Sequence, residues 1–166
     1  MSEKEFIIDY LRCTGCRLCE LACAMHHKLG ANANRAMIRI VKLETEDDVI
    51  CIPAKCMHCE NAPCKDICPT KAISTNPVTG ARVIDERKCI GCSACVYICP
   101  FGAAVLDRKK RRAVICDLCE GDPMCVRFCA FEVLRYVKSD EVSPMLKRAN
   151  IDKLLDFLKP FTPLKT

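Results

Sequence analysis

An α+β fold is what the sequence predicts: small tandem units of short β-hairpins around cysteine-rich loops, followed by a carboxyl-terminal helix. Three observations carry that expectation. Seventeen cysteines in 166 residues fall into four groups of four with one left over. The groups recur as an internal repeat, and short β-branched runs broken by turn residues lie between them. The first group is Cys13, Cys16, Cys19 and Cys23, and the third is Cys89, Cys92, Cys95 and Cys99, both spaced C-x2-C-x2-C-x3-C. The second, Cys56, Cys59, Cys64 and Cys68, and the fourth, Cys116, Cys119, Cys125 and Cys129, carry extra residues between their second and third cysteines. Cys51 alone stands outside the groups.

The spacing is that of thiolates wrapping a 4Fe–4S cube. Three cysteines separated by two residues each converge on three irons from one side, and Gly15 and Gly91 permit the tight turns this needs. This is the run found in bacterial ferredoxins, in which the fourth cysteine lies a helical turn further on and ligates a neighbouring cube. Such motifs come in pairs. Disulfides would demand an oxidising compartment, and the chain opens on Met1-Ser2-Glu3-Lys4 with no signal peptide pattern. Zinc modules keep two C-x2-C pairs well apart, whereas here a third and a fourth cysteine follow close behind.

The repeat orders the elements. Ile7 to Cys16 matches Val83 to Cys92, in each case a short strand leading into a cluster loop. Cys56 to Cys64 matches Cys116 to Cys125, both with Glu after the second cysteine and Pro in the widened gap. Cys68-Pro69 and Cys99-Pro100 carry the proline that ends the bacterial run, while Cys23-Ala24 and Cys129-Ala130 do not. The second and third motifs are therefore expected to pair as an inner unit, residues 53–102. The first and fourth are expected to form an outer one, residues 6–30 with 113–133. Strands are expected over Met37 to Leu43 and Val49 to Ile52, joined by the acidic turn Glu44 to Asp48. Ala72 to Thr75 and Ala81 to Ile84 flank the turn Asn76 to Gly80, and Ala103 to Leu106 and Ala113 to Ile115 flank the basic run Arg108 to Arg112. Phe131 to Val137 reads as strand or loop. Asp140 to Leu158 reads as a helix capped by Asp140 or Ser143, so the chain divides into a four-cluster domain, 1–137, and a helix with its tail, 138–166.

Composition narrows the function classes. Aromatics are 5% and Trp is absent, so the clusters are expected to serve as the core and to couple folding to their insertion. The net charge of +5 invites a nucleic-acid reading. Four cubes of about −2 each take the holoprotein to about −3, which removes that reading and leaves the basic residues offsetting buried anions. Arg108 to Arg112 remains a local positive run, either a solvated turn or a dock for an acidic partner. No apolar stretch reaches the roughly 18 residues of a membrane span, and no twin-arginine signal is present, so a cytoplasmic protein is expected unless a partner carries it out. No phosphate-cradling glycine loop occurs, and the histidines lack catalytic partners. A radical enzyme needs a cube with one vacant iron, but sixteen cysteines fill sixteen positions. His26 and His27 read as surface residues, while His58 either faces solvent or offers an N–H to a cluster sulfur.

Over residues 6 to about 137 the chain resembles the four-cluster ferredoxin-like electron-transfer subunits of molybdopterin and tungstopterin oxidoreductases, hydrogenases and carbon monoxide dehydrogenases. Its compactness is most similar to the small subunits of tungsten aldehyde oxidoreductases. The resemblance implies tandem two-cluster ferredoxin-like units with crossed ligation. One cube is held by Cys13, Cys16, Cys19 and Cys129, and the next by Cys116, Cys119, Cys125 and Cys23. The inner cubes take Cys56, Cys59, Cys64 with Cys99, and Cys89, Cys92, Cys95 with Cys68. It implies no catalytic site, a large catalytic partner bearing a tungsten or molybdenum pterin, and a ferredoxin or other carrier at the far end. A free-standing polyferredoxin is the alternative, as are subunits of carbon monoxide dehydrogenase, hydrogenase or formate dehydrogenase. The terminal helix and Phe161 to Leu164 favour a subunit. Anaerobically prepared protein should contain about sixteen iron and about sixteen sulfide per chain by metal and sulfide assay; stoichiometric zinc without sulfide would exclude this reading.

Overall fold

The computed structural model describes residues 4–30, 35–44, 48–139 and 142. The expected helix over Asp140 to Leu158, and the tail with Phe161, lie outside the described residues apart from Val142. Four antiparallel strand pairs and four short helices alternate along the chain. The strands are β1 (Lys4–Ile8), β2 (Ile38–Glu44), β3 (Val49–Lys55), β4 (Ile73–Thr75), β5 (Arg82–Ile84), β6 (Val105–Asp107), β7 (Arg112–Val114) and β8 (Leu134–Lys138). The helices are α1 (Leu18–His26), α2 (Pro63–Asp66), α3 (Ala94–Ile98) and α4 (Met124–Arg127).

Three of the sheets are the expected local hairpins. β2 pairs with β3 from Ile38↔Lys55 to Glu44↔Val49, β4 with β5, and β6 with β7. β3 alternates cleanly, turning Cys51, Pro53 and Lys55 inward. The fourth sheet is not local. β1 pairs with β8 in the register Lys4↔Lys138 to Ile8↔Leu134, so the 131–137 segment is turn and loop up to Val133 and strand from Leu134, and the start of the described chain is tied to its far end. Hairpins of three residues per strand are not stable alone. Here they are held by packing on the cysteine loops.

The repeat is visible in the backbone. Gly15 and Gly91 take φ +69° and +70°, and the next residue but one, Arg17 and Ser93, is also left-handed at the start of α1 and α3. His58 and Leu118, each two residues past the first cysteine of its motif, share φ near +50° to +60°. Lys71, Gly102 and Glu132, each three past a fourth cysteine, do the same. These bends are set by the need to turn successive thiols inward, and they are tolerated by non-glycine residues because the surrounding loop fixes them.

Two apolar cores result. One gathers Cys19, Cys23 and Cys125 with Ala24, Leu29, Met37, Ile38 and Leu134, and packs Cys13, Cys116 and Cys129 against it. The other gathers Cys95 with Ile73, Ala104, Ala113 and Ile115, and packs Cys64, Cys68, Cys89 and Cys99 against it. Arg35 joins them, donating to the carbonyl of Leu29 at 2.8 Å and to the buried Asp107 carboxylate at 2.6 Å. The β6–β7 turn closes on the third motif so tightly that a Cβ on Gly91 would lie 2.1 Å from the Arg111 carbonyl oxygen, whereas one on Gly80 would meet nothing within 4 Å. Gly91→Ala should therefore cost at least about 3 kcal/mol, strain plus clash, and Gly80→Ala only about 1 kcal/mol of strain. Anaerobic urea titration followed by the visible cluster absorbance will separate the two.

Candidate iron-sulfur centres

The structure gathers eight motif cysteines into two cavities, each lined by three thiols from one motif and one from another, and brings the other eight within electrostatic range of one another. At one end Cys13, Cys16, Cys19 and Cys129 line a single cavity with Leu18, Pro53, Phe128 and Leu134. At the opposite end Cys68, Cys89, Cys92 and Cys95 line another with Thr70, Ala72, Ile73 and Ile84. Between them, Cys23 lies in electrostatic range of Cys116, and Cys119 and Cys125 both of Cys23. Cys56 lies in range of Cys64 and Cys99, and Cys64 of Cys99 and Cys59. Neighbouring groups lie in electrostatic range of one another: Cys125 of Cys19, Cys116 of Cys56, and Cys95 of Cys64. Of all the cysteines only Cys16 and Cys92, the second cysteines of the first and third motifs, are exposed.

Backbone donors aim at these sulfurs. The N–H of Met37 donates to Cys23 Sγ at 3.4 Å, that of Ala72 to Cys68 Sγ and that of Ala103 to Cys99 Sγ, both at 3.3 Å, and that of His58 to Cys56 Sγ at 3.5 Å. Burial nevertheless resists ionisation. It pushes Cys19 up to about 12, with the Glu20 carboxylate adding to the effect, and it pushes Cys95 and Cys116 up to about 11. At Cys68 burial also raises the pKa, but hydrogen bonds from Ala72, Thr70 and Ile73 outweigh it and the net shift is downward. Thiols packed four to a site and held protonated by desolvation suit a metal core, whose positive charge replaces the protons. The donor set therefore fits 4Fe–4S cubes.

Several polar groups sit among the sulfurs, and the sequence marked few of them. Lys55, at the inward end of β3, is buried, donates to the Cys56 carbonyl at 2.7 Å and lies 4.1 Å over the Phe6 ring. Burial lowers its pKa, and Cys116, Cys56 and Cys125 pull it back up, which places this ammonium where the second and fourth motifs meet. Arg82 on β5 clamps the second motif through the carbonyls of Cys59 at 2.5 Å and Glu60 at 3.2 Å. Its backbone N–H donates to His58 Nδ1 at 3.0 Å, so the proton of that imidazole sits on Nε2. Burial, with Lys55 and Arg82 nearby, lowers His58 to about 4 and keeps it neutral. His58 Nε2 and Arg82 Nε are buried without a partner among the described residues. His58 is half-buried with Nε2 turned from solvent, and it is its backbone N–H that reaches a motif sulfur, Cys56 Sγ.

Glu20 is 2% exposed between two motif cysteines and accepts from Arg17 Nε and from the Ile40 N–H, each at 2.6 Å, which pins α1 to β2. Of the two histidines expected at the surface, His26 is exposed, but His27 is half-buried with Nε2 3.7 Å from Cys119 Sγ and 3.5 Å from Asp117. The correction has a simple cause: α1 packs on α4 and turns one face of its last turn to the fourth motif. Cys51 is buried and fills the space beside Gly15, as a small apolar side chain does.

Comparison with known proteins agrees with the 4Fe–4S cofactor. The 4Fe-4S dicluster domain family matches residues 47–139, and a 4Fe-4S binding domain matches residues 10–25. The polyferredoxin-like subunit of the aliphatic sulfonate oxidoreductase of Pyrococcus furiosus is 42% identical over 71% of this chain and 66% of its own length, just under two thirds. The thiosulfate reductase electron transfer subunit of Salmonella typhi is 32% identical over 80% of this chain and 74% of that one. Among solved structures, the active site complex BamBC of benzoyl coenzyme A reductase superposes with a TM-score of 0.47 at 21% identity over 98% of this chain and 93% of that one, a likeness too loose to bear on function. By its matched domain, its cysteine pattern and these relatives, the chain belongs to the 4Fe–4S dicluster ferredoxin family.

Proposed function

We propose that the protein is a non-catalytic subunit that relays single electrons through four 4Fe–4S clusters between a catalytic oxidoreductase subunit and an external carrier. The observation that carries this is the row of neighbouring cysteine groups ending in an exposed cysteine at each side. The ligand sets proposed are those the family resemblance implies: Cys13, Cys16, Cys19, Cys129; then Cys116, Cys119, Cys125, Cys23; then Cys56, Cys59, Cys64, Cys99; then Cys89, Cys92, Cys95, Cys68. When bound, the cubes supply one-electron sites close enough for tunnelling from one to the next. The protein's own contribution is to position them, exclude water and set their potentials through N–H···S bonds and fixed charge. The electron-transfer subunits among its relatives support the assignment.

The catalytic partner is proposed to carry a tungsten or molybdenum pterin. Aldehydes are the substrate class implied by the family resemblance, and the relatives' names add sulfonate and thiosulfate. Seventeen free cysteines favour a reducing compartment, and we place the assembly in the cytoplasm. Among the described residues no helix is long and apolar enough to cross a membrane.

Anaerobic affinity purification from the native source should bring down a larger subunit containing tungsten or molybdenum, and that subunit plus substrate should reduce the clusters. A monomer that forms no complex and exchanges electrons equally with unrelated enzymes would establish a free ferredoxin instead. Lys55 gives a second test. Replacing its buried charge by Lys55→Met should lower the potentials of two centres together by roughly 50–100 mV, the effect of a unit charge several ångströms away at an effective dielectric near 20. Lys55→Arg should restore them. Potentiometric titration monitored by electron paramagnetic resonance reads this directly, and unchanged potentials with full iron would remove Lys55 from the mechanism.

A further inference from the structure

The two ends of the row carry different surfaces. Around Cys16, Leu18, Phe128 and Phe131 are exposed, and the cations there are Arg17, paired with Glu20, Lys42 beside Gly15, and Arg12 just before Cys13. The Cys92 end is flanked instead by two basic loops. Gly91 abuts the carbonyl of Arg111, so the run Arg108 to Arg112 is packed directly on the loop that carries the exposed thiol. The turn is rigid, since the Asp107 carboxylate accepts from the N–H groups of Lys109 and Lys110 at 2.9 and 3.3 Å. Lys110 bridges to Glu86 at 2.7 Å, which locks this turn to the loop bearing Arg87 and Lys88 just before Cys89.

The acids here are already engaged, Asp107 by Arg35 and Glu86 by Lys110. Arg108, Lys109 and Arg111 are exposed and, among the described residues, form no ion pair, and the exposed Lys88 shares Asp85 with Arg87. A groove lined by Ser93, Val96, Tyr97, Arg108 and Lys109 runs beside them, with Tyr97 88% exposed.

We propose that this basic rim is the docking surface for an acidic one-electron carrier protein, which seats over Cys92 and exchanges electrons with the centre held by Cys68, Cys89, Cys92 and Cys95. The inference rests on the electron-relay reading and adds which end the carrier uses and by what chemistry. One electron passes per encounter, one centre being oxidised as the other is reduced, and no bond or proton moves. Charge complementarity commits the occupant. A cationic rim around an exposed redox centre accelerates encounter with an anion and is screened by salt.

The test uses four-cluster holoprotein, a small acidic ferredoxin as probe, and stopped-flow measurement of the second-order rate. Between about 0.01 M and about 1 M salt, where the Debye length falls from about 30 Å to about 3 Å, the wild-type rate should drop at least tenfold. Lys88→Glu with Lys109→Glu should drop it at least tenfold at low salt and match wild type within twofold at high salt. Lys109→Gln alone should give a twofold to threefold loss. Arg12→Glu at the opposite end should change nothing. Equal loss from Arg12→Glu, or no loss from the double variant at full iron content, overturns the proposal. Exchange with methyl viologen but not with the acidic ferredoxin also overturns it while leaving the relay reading intact. Exchange with neither defeats the relay reading itself.

Discussion

Sixteen thiols have to be gathered inside a chain poor in aromatics and without Trp, and the rest of the structure follows from that constraint. At Cys13, Cys16 and Cys19, and again at Cys89, Cys92 and Cys95, the thiol that completes the cavity comes from another motif, Cys129 in one case and Cys68 in the other. The left-handed residues at equivalent places in the repeats are the local cost of turning the thiols inward. The β1–β8 pairing answers the same demand at long range, because it brings Cys13 and Cys129 to one cavity from motifs more than a hundred residues apart. Secondary structure here serves to hold loops in place.

The same constraint explains where charge sits. Thiols crowded in apolar surroundings resist ionisation, and burial alone would keep Cys19, Cys95, Cys116 and Cys125 protonated. A metal core reverses this locally, but it leaves anionic centres that the protein must solvate with its own dipoles and cations. Backbone N–H groups aimed at Cys23, Cys56, Cys68 and Cys99 do part of that work. Lys55 and Arg82, buried at the boundary between the two cores, do another part. A buried ammonium there would be a liability in an ordinary core. Between two anionic centres it is a counter-ion.

Much of this was legible in the sequence because it is local. Cysteine spacing identified the cofactor, turn residues located the β2–β3, β4–β5 and β6–β7 hairpins, and Gly15 and Gly91 sit where the tight turns were expected. Other features depend on contacts that no local pattern encodes. Nothing in Lys4–Ile8 names Leu134–Lys138 as its partner. Lys55 reads as an unremarkable strand-end cation until β3 turns its inward face towards Cys56 and Cys116. His27 looked like a surface residue because its contact with Cys119 spans 92 residues. Glu20, lodged between Cys19 and Cys23, carried a faint signal: a carboxylate in a cysteine run is out of place unless the backbone and a cation claim it, as Ile40 and Arg17 do.

The equivalence of the repeats makes their differences informative. Gly15 and Gly91 occupy matching positions and both press against a hairpin, but Gly15 meets the Cys51 side chain from β3 while Gly91 meets the Arg111 carbonyl from the β6–β7 turn. One hairpin presents an apolar inward face, and the other presents its charged tip to the exposed end. A symmetric repeat would give a row with interchangeable ends. Here the hairpins packed against equivalent glycines break that symmetry: the exposed cations Arg108, Lys109 and Arg111 lie beside Cys92, while the hairpin beside Cys16 contributes Cys51 and Lys42. Because the basic tip projects into solvent at Arg108, Lys109 and Arg111, its charge is not consumed by the buried sulfurs, unlike that of Lys55 and Arg82. Lys55 and Arg82 are thus taken up by the buried sulfurs, whereas Arg108, Lys109 and Arg111 are displayed beside Cys92.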